Sequence, residues 1–196
     1  VGLGLERPAV LGHSMGGTLA SLYAGLRPEG IHHVVLLEGL GPATMEPADA
    51  ADQLIGHLDA QLAPKDQRPI PDLAGAAERL KRLNPSLGDA LSLALAQRTT
   101  RPHPDGGVVW TWDAMHRTRA AVAYSKARHM EILRRIQAPV TAVFGARSWY
   151  LQLPDLDARL QEIPNLIQRV ELQAGHALHI EQGEAIAAII TGGPRS

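Results

Sequence analysis

Gly12-His13-Ser14-Met15-Gly16 has the form G-x-S-x-G. A serine so placed becomes a nucleophile when it sits on a sharp strand-to-helix turn that pushes its hydroxyl clear of a sheet. The flanks supply that context. Pro8–Gly12 reads as a short buried strand, and Gly16–Leu26 as a helix that opens on small residues and stops before Pro28. The turn demands strained backbone at Ser14. It also calls for residues without Cβ two positions either side, so Gly12 and Gly16 are both expected to be sterically required. The same turn aims the Met15 N–H and the positive end of the helix at the place where an oxyanion would form. An incidental Gly-rich turn is the plainer alternative, and the strand and helix on either side argue against it.

A serine hydroxyl needs a base, and the chain has nine histidines. His176 follows a predicted strand, sits in the loop Gln173-Ala174-Gly175-His176 and precedes the last helix. His179 reads as the start of that helix. His13 diverges from its serine neighbour and reads as a packing or loop-orienting residue. His32 and His33, at a helix–strand connection, read as surface. His57, His103, His116 and His129 are scattered without metal-ligand spacing, and no metal or organic cofactor is implied. Glu38 ends the apolar run Val34-Val35-Leu36-Leu37, and a carboxylate there needs a partner, whether catalytic or a plain ion pair or cap.

The elements that must position these groups fall into three regions. Residues 1–41 form one strand–helix–strand unit, with Ile31–Leu37 as a second strand buried on both faces. Residues 42–130, entered at Pro42 and Pro47, read as a helical insertion with helices at 48–62, 72–83 and 86–97. A turn-rich loop from Arg101 and an extended Val108–Trp112 follow. Residues 131–196 return to alternating texture: a helix closing at Met130–Ile136, a strand 139–145, a helix 155–163, a strand 166–172 and a final helix Ile180–Thr191. The expected fold class is therefore α/β, parallel strands flanked by helices, with a helical cap.

Composition narrows the partners. Lys+Arg 19 against Asp+Glu 20 leaves a net charge of −1, with no single-sign field to hold nucleic acid or an anionic membrane. Cys is 0, which excludes thiol catalysis and disulfides and fits a reducing, cytoplasmic compartment. No run approaches the ~18–20 apolar residues of a membrane span, and the N-terminus lacks the pattern of a signal peptide.

Gly-His-Ser-Met-Gly-Gly, the strand ending Leu-Leu-Glu-Gly-Leu-Gly-Pro, the capped middle and Gly-His-x-x-His near the end resemble the serine hydrolase-like branch of the α/β-hydrolase superfamily. The resemblance runs over essentially the whole chain but maps onto the second half of the family's core plus its cap. It implies the order nucleophile, acid, histidine, which suits His176 as base. It would place the acid after the strand 139–145, in a Gly-x-x-Asp turn, but that turn reads Gly145-Ala146-Arg147-Ser148. Some members carry the acid at the end of the strand after the nucleophile helix, which is Glu38. Asp155 and Asp157 remain the alternative, although an acidic first helical turn explains them equally. Glu38 is favoured.

A serine at the elbow, rather than the aspartate of dehalogenases and epoxide hydrolases, implies acyl transfer through an acyl-enzyme. The cap would line the pocket with Trp110, Trp112, Met115, Tyr124 and Trp149, favouring a small hydrophobic acyl substrate, with ordinary packing as the alternative for each. The strands that precede the elbow in the family, and the loop supplying a second oxyanion N–H, have no counterpart here. The chain is thus expected to be a fragment or a processed form. The strand Pro8–Gly12 would be an open edge, suited to a second copy or to a complementing N-terminal segment. The competing readings are a non-catalytic partial domain acting by assembly, or one acting as a ligand receptor.

Overall fold

The computed structural model describes residues 4–42, 50–64, 66–118 and 120–192, with Arg117 by its backbone alone. Pro47 and the expected helix start at Ala48 lie outside the described residues. The chain divides into two compact units, one of Val1–Thr44 with Tyr124–Ser196 and one of Met45–Ala123.

The first unit is a parallel four-stranded sheet with helices on both faces. In chain order it runs β1 (Ala9–His13), α1 (Met15–Leu26) and β2 (His33–Leu37). After the second unit it resumes with α5 (Lys126–Leu133), β5 (Val140–Gly145), α6 (Leu156–Gln161), β6 (Leu166–Leu172), α7 (Leu178–Glu181) and α8 (Gly183–Thr191). The strand order is β1-β2-β5-β6, all neighbours parallel. β2 and β5 are buried along their whole length, as continuous apolar runs in parallel sheets require. Alternate residues serve opposite faces. Val34, Leu36, Val140, Ala142 and Phe144 join Ala20, Ala24 and Leu133 on one side. Val35, Leu37 and Val143 join Leu178 and Ile186 on the other.

Helix α1 explains how the elbow is held. Its buried residues are Gly17, Ala20, Ser21, Ala24 and Gly25, a stripe of small side chains at helical spacing that lets the helix lie close on the sheet. Its large apolar residues, Met15, Leu19, Tyr23 and Leu26, form the opposite, exposed stripe. Among the described residues β1 is an outer strand of the sheet, and Leu11 on it is also exposed.

Several local expectations need correction. His33 is buried rather than superficial, its Nε2 3.0 Å from Thr141 Oγ1. The helix expected to close at Ile136 ends at Leu133. The final helix is two, broken at the non-helical Gln182 beside Gly183, a poor helix former.

In the second unit, α2 (Ala50–Leu62), α3 (Leu73–Leu83) and α4 (Asp89–Thr99) are followed by an antiparallel hairpin of β3 (Thr100–Pro102) and β4 (Val108–Trp110). The segment from Arg101 therefore begins in a strand, because Val108–Trp110 gives it a partner. Asp72 caps α3 through Gly75 N–H. Ile70, Ala76, Ala77 and Ala96 form this unit's own small core.

A buried chain of hydrogen bonds closes the first unit. Ser21 Oγ donates to Thr18 O at 2.8 Å, so His129 Nε2–H must donate to Ser21 Oγ, also at 2.8 Å. His129 Nδ1 then accepts from the Tyr124 hydroxyl (2.8 Å), which accepts from Arg159 at 3.3 Å. Arg159 also donates to Leu40 O and Pro42 O and pairs with Asp155. Burial, and then the Arg159 charge, hold His129 in its neutral form, lowering its pKa from 6.5 to about 4. Between those values the unfolded chain binds a proton that the folded one refuses, so stability falls as pH drops from about 6.5 toward 4. The full loss from this one group is on the order of 3 kcal/mol. Chemical denaturation across that range should show a shallower pH slope in His129→Gln than in the parent; equal slopes would refute the assignment.

Candidate active site

Ser14 lies between β1 and α1 with φ 54° and ψ −120°, a conformation that L-residues with side chains rarely adopt. Its N–H donates to Leu37 O, tying the turn to the neighbouring strand. A Cβ at Gly12 would lie 2.2 Å from Gly16 O, so Gly12 is required as expected. Gly16 is not: a Cβ there would meet nothing within 4 Å. The second indispensable glycine is Gly17, whose Cβ would fall 2.6 Å from the Cα of Gly39 where α1 crosses the end of β2.

The His176 side chain bridges two elements. Its Nε2 is 3.0 Å from Ser14 Oγ and its Nδ1 is 2.5 Å from Glu38 Oε2. A carboxylate can only accept, so Nδ1 carries the proton and Nε2 is free to accept from the serine. Glu38 is fully buried and, like Ser14, has a positive φ, 49°. Of the described non-glycine residues only Arg7 shares that feature. Strain concentrated at two residues that meet through one histidine is the pattern of a functional site. Gly145 N–H donates to Glu38 Oε1 at 2.7 Å and Ser148 Oγ donates to Oε2 at 2.8 Å.

The loop bearing His176 is fastened by His13 and by Glu181. His13 Nε2–H donates to His176 O at 2.7 Å, and its ring lies 4.3 Å from that of His179. Burial and the neighbouring His179 push His13 down to about 4, so it is neutral near pH 7. Glu181 accepts from Gly175 N–H (3.0 Å) and pairs with Arg147 (3.2 Å), joining this loop to the one after β5. Sequence reasoning missed Glu181 and Ser148. Each is a polar residue that becomes meaningful only once β5 and the His176 loop are adjacent.

Trp149 is 53% exposed and its ring lies 5.1 Å from that of His176. Met15 begins α1, and the first N–H groups of a helix have no carbonyl partner within it. Tyr124 belongs to the first unit, its hydroxyl bonded to His129 and Arg159 and its oxygen 2.2 Å from where a Gly41 Cβ would sit. It braces the core rather than presenting a free hydroxyl. Trp110, Trp112 and Met115 lie in the second unit. The two indoles stack at 4.4 Å, and Trp112 lines a cavity of ≈ 490 Å³ with Gln67, Arg101, His103 and Asp113. Asp155 is engaged by Arg159 and Lys126, and Asp157 by Arg169.

A match to the family described as alpha/beta hydrolase fold spans residues 2–182. The chain belongs to the alpha/beta hydrolase fold family. A serine hydrolase-like protein of Danio rerio is 26% identical over 95% of this chain, which spans 60% of that protein's length. The thioesterase domain from the curacin biosynthetic pathway is 36% identical, with a TM-score of 0.81 over 96% of this chain and 68% of its own. A hypothetical protein of Pseudomonas aeruginosa is 32% identical, with a TM-score of 0.83 over 97% of this chain and 68% of its own. Among the described residues of this alpha/beta hydrolase no helix is long and apolar enough to cross a membrane.

Proposed function

We propose that the protein is a serine hydrolase that cleaves an ester or thioester of a small hydrophobic acyl group through an acyl-enzyme. The observation that carries this reading is the line Ser14 Oγ–His176–Glu38, at 3.0 and 2.5 Å. Ser14 Oγ attacks the carbonyl carbon as its proton passes to His176 Nε2. The carbonyl π electrons move to oxygen, and the Met15 N–H stabilises the oxyanion. Its collapse expels the alcohol or thiol, which takes the proton from His176. Water, deprotonated by the same nitrogen, then releases the acid and restores Ser14. Glu38 fixes the imidazole tautomer and stabilises the imidazolium. Trp149, beside the imidazole, forms an apolar wall of the acyl site. Similarity to a thioesterase domain supports including thioesters.

A second reading rests on the exposed apolar stripe of α1: a domain that works by assembly, through a second copy or a complementing segment. One experiment separates the two. Incubation with a fluorophosphonate, followed by intact-mass and peptide mapping, should give a single adduct on the peptide holding Ser14. No adduct, together with concentration-dependent self-association, would favour assembly.

A further inference from the structure

Glu38 is a carboxylate with no exposed surface, and in that setting it stays ionised only if donors replace the lost water. Three do so. Gly145 N–H serves Oε1, and His176 Nδ1–H serves Oε2. The third is the hydroxyl of Ser148, which donates to the same Oε2 at 2.8 Å. The Ser148 hydroxyl is itself oriented, because its oxygen accepts from Tyr150 N–H at 3.2 Å, leaving its proton to point at the carboxylate. Position 148 reads in the sequence as a place where a carboxylate is missing. In the fold it holds a donor aimed at the carboxylate that lies elsewhere.

We propose that Ser148 is a positioning residue of the hydrolytic site, its hydroxyl holding Glu38 Oε2 ionised and on the line of His176 Nδ1. The inference rests on the Ser14–His176–Glu38 reading above. The competing role is purely local: Ser148 caps the 3-10 turn Trp149–Gln152 through the same Tyr150 N–H. The two differ in what they move. A cap affects stability. A second donor on Oε2 also affects how strongly Glu38 draws the imidazole proton, and so the pH at which the base becomes available. Removing it leaves the carboxylate a stronger acceptor, stabilises imidazolium and carries the acidic limb of kcat/KM to higher pH. Among the described residues, the other titratable groups facing His176 are His13 and His179, whose pKa values burial lowers, and Tyr150, whose ring is 6.3 Å away and whose hydroxyl burial pushes up to about 12.

The test is a series at one position in the active protein: Ser148→Thr, Ser148→Cys and Ser148→Ala. Each is measured for thermal unfolding, fluorophosphonate labelling and the pH profile of ester hydrolysis. A hydrogen bond to a charged group is stronger than one between neutral groups, and only part of its loss is expressed in turnover. The expected result for Ser148→Ala is a loss in kcat of roughly tenfold with little change in KM, and an acidic limb moved up by roughly half to one pH unit. Thr, which keeps the hydroxyl, should restore both. Cys, which fills the same space with a weaker donor, should fall between them and covers the case in which Ala fails to fold. A flat kcat and an unmoved limb across the series, with only Tm changing, would overturn the proposal and leave Ser148 as a cap. Absence of labelling in the parent protein would instead overturn the hydrolase reading itself.

Discussion

Ser14→Ala is expected to abolish fluorophosphonate labelling and to lower turnover on the order of 10⁶-fold, the scale seen when a serine nucleophile is removed from a triad that acts as a unit. The fold should survive, because Ser14 contributes no side-chain cap to α1 and its N–H bond to Leu37 O is made by the backbone. The molecule also contains a decoy. Ser21 Oγ lies 2.8 Å from His129 Nε2, closer than Ser14 is to His176. Distance alone would choose the wrong pair. Ser21 is fully buried on the inner face of α1, its proton engaged by Thr18 O, and His129 donates to it rather than accepting. The second nitrogen of His129 meets a tyrosine hydroxyl where His176 meets a carboxylate. Ser21→Ala should therefore label normally and lose stability. Labelling that persists in Ser14→Ala at any serine would remove Ser14 from the mechanism, and its disappearance in Ser21→Ala with the fold intact would reassign the site.

What the chain reveals before folding depends on how local each constraint is. The elbow was legible because its demands fall within a few residues: a strand, a turn, a helix and a glycine at position 12. The same logic failed at Gly16, since the elbow collision is between a side chain at position 12 and the Gly16 backbone, which Gly12 alone relieves; Gly17 is required by a separate contact, the close approach of Gly39 after β2. Glu38 was legible because a carboxylate ending an apolar run is chemically costly wherever the run is buried. His33 and His129 were misjudged or passed over for the opposite reason. A histidine is equally at home inside and outside, and their partners, Thr141, Ser21 and Tyr124, come from distant segments. The bond of the Tyr124 hydroxyl to Arg159 likewise joins segments far apart in the chain and appears only in the fold. The two apolar faces of α1 also needed the fold: periodicity marks both stripes, and only packing shows that the small one faces inward.

Glu38→Gln is expected to reduce turnover by at least about 10²-fold, and by up to ~10⁴ if it behaves as in a serine protease. The direction follows from counting donors. Glu38 accepts from Gly145 N–H on one oxygen and from Ser148 and His176 on the other. A glutamine has one accepting oxygen and one donating amide. If the amide nitrogen faced Gly145, two fixed donors would oppose each other, and the backbone cannot turn away. The glutamine oxygen therefore stays on Gly145, and its NH₂ faces Ser148 and His176. The hydroxyl can rotate to accept, and the imidazole can shift its proton to Nε2 so that Nδ1 accepts. That relieves the mismatch at the cost of the acceptor Ser14 needs. The Ser148 proton loses its carboxylate acceptor, so a modest fall in Tm is expected beside a much larger loss in kcat. The control is Asp155→Asn, which should do the reverse. Asp155 pairs with the fully buried Arg159, so weakening that pair lowers Tm, while turnover stays near that of the parent. Asp157→Asn, at an exposed pair with Arg169, should change neither. If Asp155→Asn cripples turnover at unchanged Tm and Glu38→Gln is mild, the acid lies after β5 and Glu38 is a structural carboxylate.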